Sequence, residues 1–421
     1  MSNFDLSVLF FLQLAVILGT CRAVGALART VGQPVAVGEM IAGVVLGPSL
    51  FGLVAPSWHA ALFPKPSMTI IFAVAQVGIA LYMFLVGVEF RLDLIRPRAP
   101  SALSVSAAGI VVPFLLGGLI ALAVHADGVM FRPNVTQGQA FLYLGAAMSI
   151  TAFPMLARIV QERGLTGTPL GTLALAAGSL DDAAAWSVLA VLLATLGNQP
   201  MIAVAAIGGG IVYMLVVLLA VRPALRPLGA RVEHSGTMSY QLLGFVLVLV
   251  MLGSWFTDGI GIYAVFGAFV LGTAMPRGRF ADELERLLTP VTVGLLLPLF
   301  FAYSGLNTQI GLVNSWSLVA LAVLIVIAAC VGKAVPCWLA ARLHGEPPDQ
   351  ALAIGVLMNA RGLMELIILN IGYERGIITQ TLFSIMVMMA LVTTFMATPL
   401  FELVHGRKGR LAGLVGPVRS G

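Results

Sequence analysis

Between residues 5 and 404 the chain is a succession of apolar stretches separated by short polar turns. About 20 consecutive apolar residues suffice to cross a hydrocarbon core as a helix. Inside lipid, every backbone N–H and C=O must find a partner within the segment or its bundle. These two demands leave a helical bundle as the fold open to such a chain. Counting stretches predicts thirteen spans, among them 34–55, 138–160, 168–196, 260–275, 315–343 and 350–372. The ninth, 260–275, is short and the second is rich in Gly and Pro, so both are expected to tilt or partly re-enter. Composition agrees: 10% of residues are charged and 59% hydrophobic, whereas about a quarter of a soluble domain is charged. An all-α polytopic membrane protein is expected.

Charge placement tests the count independently, because Lys and Arg accumulate in cytoplasmic loops. With thirteen spans, 18 of the 23 Lys and Arg fall on one side and 3 on the other, while Lys333 and Arg361 lie inside spans. This predicts an inner (plasma) membrane protein with its N-terminus outside and its C-terminus cytoplasmic, ending in a short tail, 405–421, that anchors to anionic lipid. The first apolar stretch lacks a basic n-region and reads as a retained span. No basic run is interleaved with aromatics, so nucleic acid is not an expected partner. Cys21, Cys330 and Cys337 give no disulfide or metal framework. No nucleophile or phosphate motif accompanies them, so neither an enzyme nor a cofactor is expected.

The costliest feature is Asp181-Asp182, set in a segment otherwise apolar from Pro169 to Leu196. An acid at the bilayer centre costs roughly 2.5–3.5 kcal/mol on insertion scales, and such residues face the bundle interior and mark ion or proton pathways. Helix neighbours diverge by about 100°, so the two carboxylates cannot share one partner. Two roles follow, against the plainer reading that both merely pair with bases.

Two spans carry breaks. The fifth contains Ser149-Ile150-Thr151-Ala152-Phe153-Pro154, where Pro154 removes a donor and clashes with the preceding turn. The twelfth contains Asn359-Ala360-Arg361-Gly362-Leu363-Met364-Glu365. Interrupted spans in corresponding positions of two halves mark the midplane ion site of secondary transporters. Here spans four to six and eleven to thirteen form two triplets, each broken in its middle member, and an offset of seven spans inverts one against the other. That arrangement brings the sixth and eleventh spans together, which pairs Lys333 with Asp181; Arg361 and Glu365, four apart on one helix face, can neutralise each other. Glu39 and Glu89 read as structural or entry groups, and the Met386 to Met389 run as packing.

Gly38-Glu39-Met40-Ile41-Ala42-Gly43 through Gly47-Pro48-Ser49, Phe84-Leu85-Val86-Gly87-Val88-Glu89, the Ser149 to Arg158 break, Leu180-Asp181-Asp182 and Asn359-Ala360-Arg361-Gly362 together resemble the monovalent cation:proton antiporter-2 family, with its Kef-type, GerN-like and NapA-like members. The resemblance implies an NhaA-like antiporter fold of inverted repeats with two crossed interrupted helices. It implies a homodimer in which residues 1–99 and 198–314 form scaffold helices, while 100–197 and 315–404 form a core that moves like an elevator. It also implies that Asp182 binds a monovalent metal cation (Na+ or K+) and H+ alternately, while Asp181 bonds to Lys333. The Asp-Asp form resembles electrogenic members that exchange two protons for one cation. Trp186 and the run from Asn359 to Leu366 look closer to a yeast and plant potassium/proton branch, which leaves Na+ and K+ both open.

On the residues alone, the expected chemistry is competition. A carboxylate at Asp182 can hold a dehydrated alkali ion or a proton but is poor at both together. Ser149, Thr151 and carbonyls freed at the fifth-span break are expected to complete the coordination. A cation channel or ligand-gated potassium efflux pathway is the rival reading, although no filter-like repeat occurs.

Overall fold

The computed structural model describes residues 2–33, 35–90, 98–197, 200–261, 264–306, 315–361, 365, 368–369, 372–373 and 375–406. In chain order its helices are α1 (Asn3–Thr30), α2 (Val35–Leu46), α3 (Phe51–Val54), α4 (Pro56–Leu62), α5 (Lys65–Glu89), α6 (Ala99–His125), α7 (Gln137–Ser149), α8 (Phe153–Glu162), α9 (Pro169–Gly197), α10 (Pro200–Val216), α11 (Arg222–Ser235), α12 (Tyr240–Gly259), α13 (Ala264–Thr273), α14 (Arg279–Val291), α15 (Leu297–Leu306), α16 (Trp316–Leu343), α17 (Pro348–Leu357) and α18 (Gln380–Phe401). Single π turns, Val217–Val221 and Thr292–Leu296, join α10 to α11 and α14 to α15. Among the described residues there is no strand, only an isolated bridge between Phe131 and Ile378.

Nine helical stretches among the described residues are long and apolar enough to cross a membrane. The other expected spans fall on α9, on the short α13, and on two interrupted stretches, one formed by α7 with α8 and the other beginning with α17. The second span stops early: α2 ends at Leu46, just before Gly47-Pro48, because proline cannot continue a helix.

The chain divides into two compact units. One comprises residues 1–27, 38–92 and 183–311. At its centre α5 is buried on every side from Gly78 to Val88, as expected of a helix that is apolar all round. Small residues let backbones approach there, since a Cβ on Gly87 would strike the Phe269 carbonyl and one on Gly272 that of Phe84. Its outer helices expose large apolar side chains, Phe11 at 69% and Trp255 at 72%, which only a lipid surround makes favourable. Glu39 is buried within this unit.

The second unit comprises residues 28–37, 93–182 and 312–421, so the division falls within α9, immediately after Asp182. α7 opens on a capping box, Thr136 with Gln139, and stops at Ser149. Ile150 and Ala152 are extended, with φ/ψ of −70°/135° and −77°/91°. The stop lies upstream of Pro154 itself. A proline clashes with the turn before it but is tolerated in a first turn, and Pro154 accordingly sits in the first turn of α8. α17 begins at Pro348 and ends at Leu357, followed by non-helical Ala360 and Arg361. The two breaks touch backbone to backbone: the Ala152 N–H donates to the Ala360 carbonyl at 3.0 Å. Gly362 to Met364 and Leu366, and the side chain of Trp186, lie outside the described residues.

Candidate functional site

Around that crossing, the second unit buries charges that an apolar bundle tolerates only when partnered. Asp181 is fully buried, and its Oδ2 lies 3.1 Å from Lys333 Nζ. The same oxygen accepts from Thr151 Oγ1 at 2.6 Å, and Ser106 of α6 stands beside this carboxylate. Lys333 is buried on α16 and carries three N–H donors. Besides Asp181, they reach the Gly109 carbonyl of α6 at 3.0 Å and the Ser149 carbonyl at the end of α7. The ammonium is therefore saturated. Gly109 makes room for this: a Cβ there would lie 2.7 Å from Cys337 Sγ and 3.6 Å from Asp181 Oδ2.

Arg361 stands at the other break and is fully buried. Its backbone N–H and carbonyl both bond to Thr394 Oγ1, at 3.1 and 2.7 Å, which fixes the non-helical segment against α18. Its guanidinium donates to the Met148 carbonyl at 2.7 Å and the Ala147 carbonyl at 3.4 Å. Ala147, Met148 and Ser149 are the last carbonyls of α7, orphaned where the helix stops. Two cations from the later half of the chain take all three, at the end of the helix that carries partial negative charge. Glu365 lies 3.5 Å from Arg361 Nη1, as their four-residue spacing suggested.

Asp182 differs from all of these. It is 4% exposed, and among the described residues no hydrogen bond or ion pair reaches it; its Oδ1 is buried without a partner. Asn359 Oδ1, Asp181 Oδ1 and both Glu365 carboxylate oxygens are also buried without a hydrogen bond, but Asp181 and Glu365 each have a cation beside them, and Asn359 Nδ2 donates to the Gly355 carbonyl at 3.2 Å.

The structure thus gathers Asp181, Thr151, Ser149 and Lys333 into one network and Arg361 with Glu365 into an adjoining one. Ser149 joins through its carbonyl, because its hydroxyl donates back to Ala146 at 2.8 Å. The Thr151 hydroxyl is directed to Asp181. Ser106 and Gly109 were missed by the reading of the sequence. Ser101, Ser104 and Ser106 all punctuate the same apolar span, and nothing in the sequence selects the one that stands beside Asp181.

A profile for the transmembrane domain of sodium/hydrogen exchangers matches residues 14–404. The chain belongs to the sodium/hydrogen exchanger family. Within it, the Na(+)/H(+) antiporter NhaS4 of Synechocystis is 38% identical over 400 residues, covering 94% of this chain and 97% of that protein. The Cation/H(+) antiporter 17 of Arabidopsis thaliana is 37% identical over 94% of this chain, which spans 48% of that longer protein. Among solved structures, the sodium proton antiporter MjNhaP1 of Methanocaldococcus jannaschii superposes with a TM-score of 0.64 over 98% of this chain and all of its own, at 16% identity. That likeness shows the antiporter fold: an all-helical, multi-pass membrane protein. The relatives are antiporters by name.

Proposed function

We propose that the protein exchanges a monovalent cation, Na+ or K+, for H+ across the membrane, with Asp182 as the shared site. The observation that carries this reading is the contrast between two adjacent carboxylates. Asp181 is answered by Lys333 and Thr151, whereas Asp182 is buried with no protein partner among the described residues. A bare carboxylate in a dry bundle is expensive, and either a proton or a dehydrated alkali ion neutralises it. One guest excludes the other, and exchange follows with no covalent step. Thr151 serves the site by fixing Asp181 beside it, and Ser149 does so indirectly, through the Lys333 ammonium that its carbonyl holds. Lys333 and Arg361 hold the broken end of α7 in place, and Glu365 balances Arg361.

Residues 100–197 and 315–404 form the moving core, while 1–99 and 198–314 form the scaffold and the interface of a homodimer. The arginine asymmetry supports a plasma membrane orientation with the N-terminus outside and the C-terminus in the cytoplasm, a placement suited to pH homeostasis. The names of the relatives cover sodium and unspecified cations, so both alkali ions belong in the test. Sealed proteoliposomes with an internal pH dye should show proton movement on addition of Na+, K+ or Li+ and none without a cation. Current carried by a single ion alone would overturn exchange in favour of a channel.

A further inference from the structure

In the first unit, α11 presents Arg222, Arg226, Gly229 and Glu233 along one face, at helical spacing, to the turn after α13 that contains Pro276 and Arg277. Together they enclose a cleft of about 360 Å³. Gly229 sets the close approach, since a Cβ on it would lie 2.5 Å from Pro276 Cβ. Arg222 and Arg226 are like charges one turn apart, a pairing that costs stability unless an anion sits between them. Among the described residues neither has a hydrogen-bond or ion-pair partner. Arg277 is held in place by the end of α5, donating to the Val88 and Phe90 carbonyls at 2.8 and 2.5 Å. The one acid of the cleft, Glu233, accepts from the Arg279 backbone N–H at 3.3 Å, which directs Oε2 to the turn. Two guanidinium groups without a partner among the described residues, Arg222 and Arg226, therefore share the cleft with one carboxylate and the carbonyl-held Arg277 on the arginine-rich side of the bundle. The turn of helix before Arg222 exposes apolar side chains, Leu219 at 72%, which suits a neighbouring acyl chain.

We propose that this cleft binds the phosphate group of an anionic phospholipid. Guanidinium forks match phosphate oxygens two at a time, and basic pockets at the cytoplasmic ends of membrane helices take anionic headgroups. The exposed apolar turn beside the arginines favours a lipid over free phosphate. The site is independent of the exchange reaction proposed above.

The test uses the full chain, delipidated in neutral detergent, with phosphatidylglycerol, phosphatidylcholine and inorganic phosphate each added alone, and reads binding by native mass spectrometry. Phosphatidylglycerol should bind the wild type, and Arg222→Gln/Arg226→Gln should bind it roughly 10- to 30-fold more weakly. Arg231→Gln, exposed on the same helix outside the cleft, should be unchanged. Should the double variant fail to stay monodisperse, Arg222→Lys/Arg226→Lys keeps the charge but loses the forks, and should bind several-fold more weakly. Equal binding by wild type and variant, or an equal loss in Arg231→Gln, overturns the site. Equally tight phosphatidylcholine binding overturns its anionic character. Tight binding of inorganic phosphate alone, lost in the double variant, overturns the lipid as occupant.

Discussion

Replacing Lys333 with Met tests the network at its most connected atom. The side chain is fully buried, and Nζ serves the Asp181 carboxylate at 3.1 Å, the Gly109 carbonyl at 3.0 Å and the Ser149 carbonyl. Methionine fills similar volume but donates nothing, so Asp181 keeps only the Thr151 hydrogen bond, and the last carbonyl of α7 loses its cap. Removing one member of a buried ion pair costs about 3–5 kcal/mol, mostly through the stranded partner. In a chain of 421 residues this corresponds to a fall of about 3–6 °C in the midpoint of thermal aggregation in detergent. The stranded partner can itself be removed. Lys333→Met/Asp181→Leu replaces the pair by apolar groups, a change that is often neutral or stabilising, so the double variant should recover most of the loss although one of its parents is badly impaired. Fluorescence size-exclusion chromatography after a temperature ramp measures all of these variants. A single Lys333→Met within 1–2 °C of wild type, or a double variant worse than the sum of the singles, would refute the pairing as a source of stability.

Three further outcomes follow from the same geometry. Thr151→Val removes the 2.6 Å donor to Asp181 and should cost about 1.5–3 kcal/mol, the range for a hydrogen bond to a charged group, with Thr151→Ser restoring it in the same thermal assay. Gly109→Ala would gain up to about 1 kcal/mol on helix propensity alone. With its Cβ 2.7 Å from Cys337 Sγ it should instead destabilise, and Cys337→Ala should rescue it. Arg361→Met uncaps Ala147 and Met148 and strands Glu365, so it should cost about 3–5 kcal/mol, and Glu365→Gln should return part of that loss.

What the sequence disclosed and what it withheld divide along physical lines. Asp181, Asp182 and Lys333 were legible because charge in a long apolar run is costly enough to require a reason. The crossing was legible from Pro154 and from the polar run at Asn359, which interrupt two otherwise continuous spans in matching places. Position within an apolar helix was not legible. In a bundle surrounded by lipid both faces of a helix are apolar, so periodicity does not say which of three serines, or which glycine, on α6 stands beside Asp181 and Lys333. Carbonyl partners carry no side-chain signature at all. The break in the fifth span was expected to leave carbonyls for a cation, yet Ala147, Met148 and Ser149 are taken by Arg361 and Lys333. Only the fold shows that the later half of the chain caps the earlier one.

Exchange at Asp182 requires that one carboxylate hold either a cation or a proton. Purified protein in weakly buffered detergent solution, titrated with NaCl and then KCl against choline chloride, reports this directly through the protons it releases. Proton release should saturate with the alkali cation and disappear in Asp182→Asn, while Thr151→Ser retains it. Undiminished cation-driven release from Asp182→Asn would contradict it.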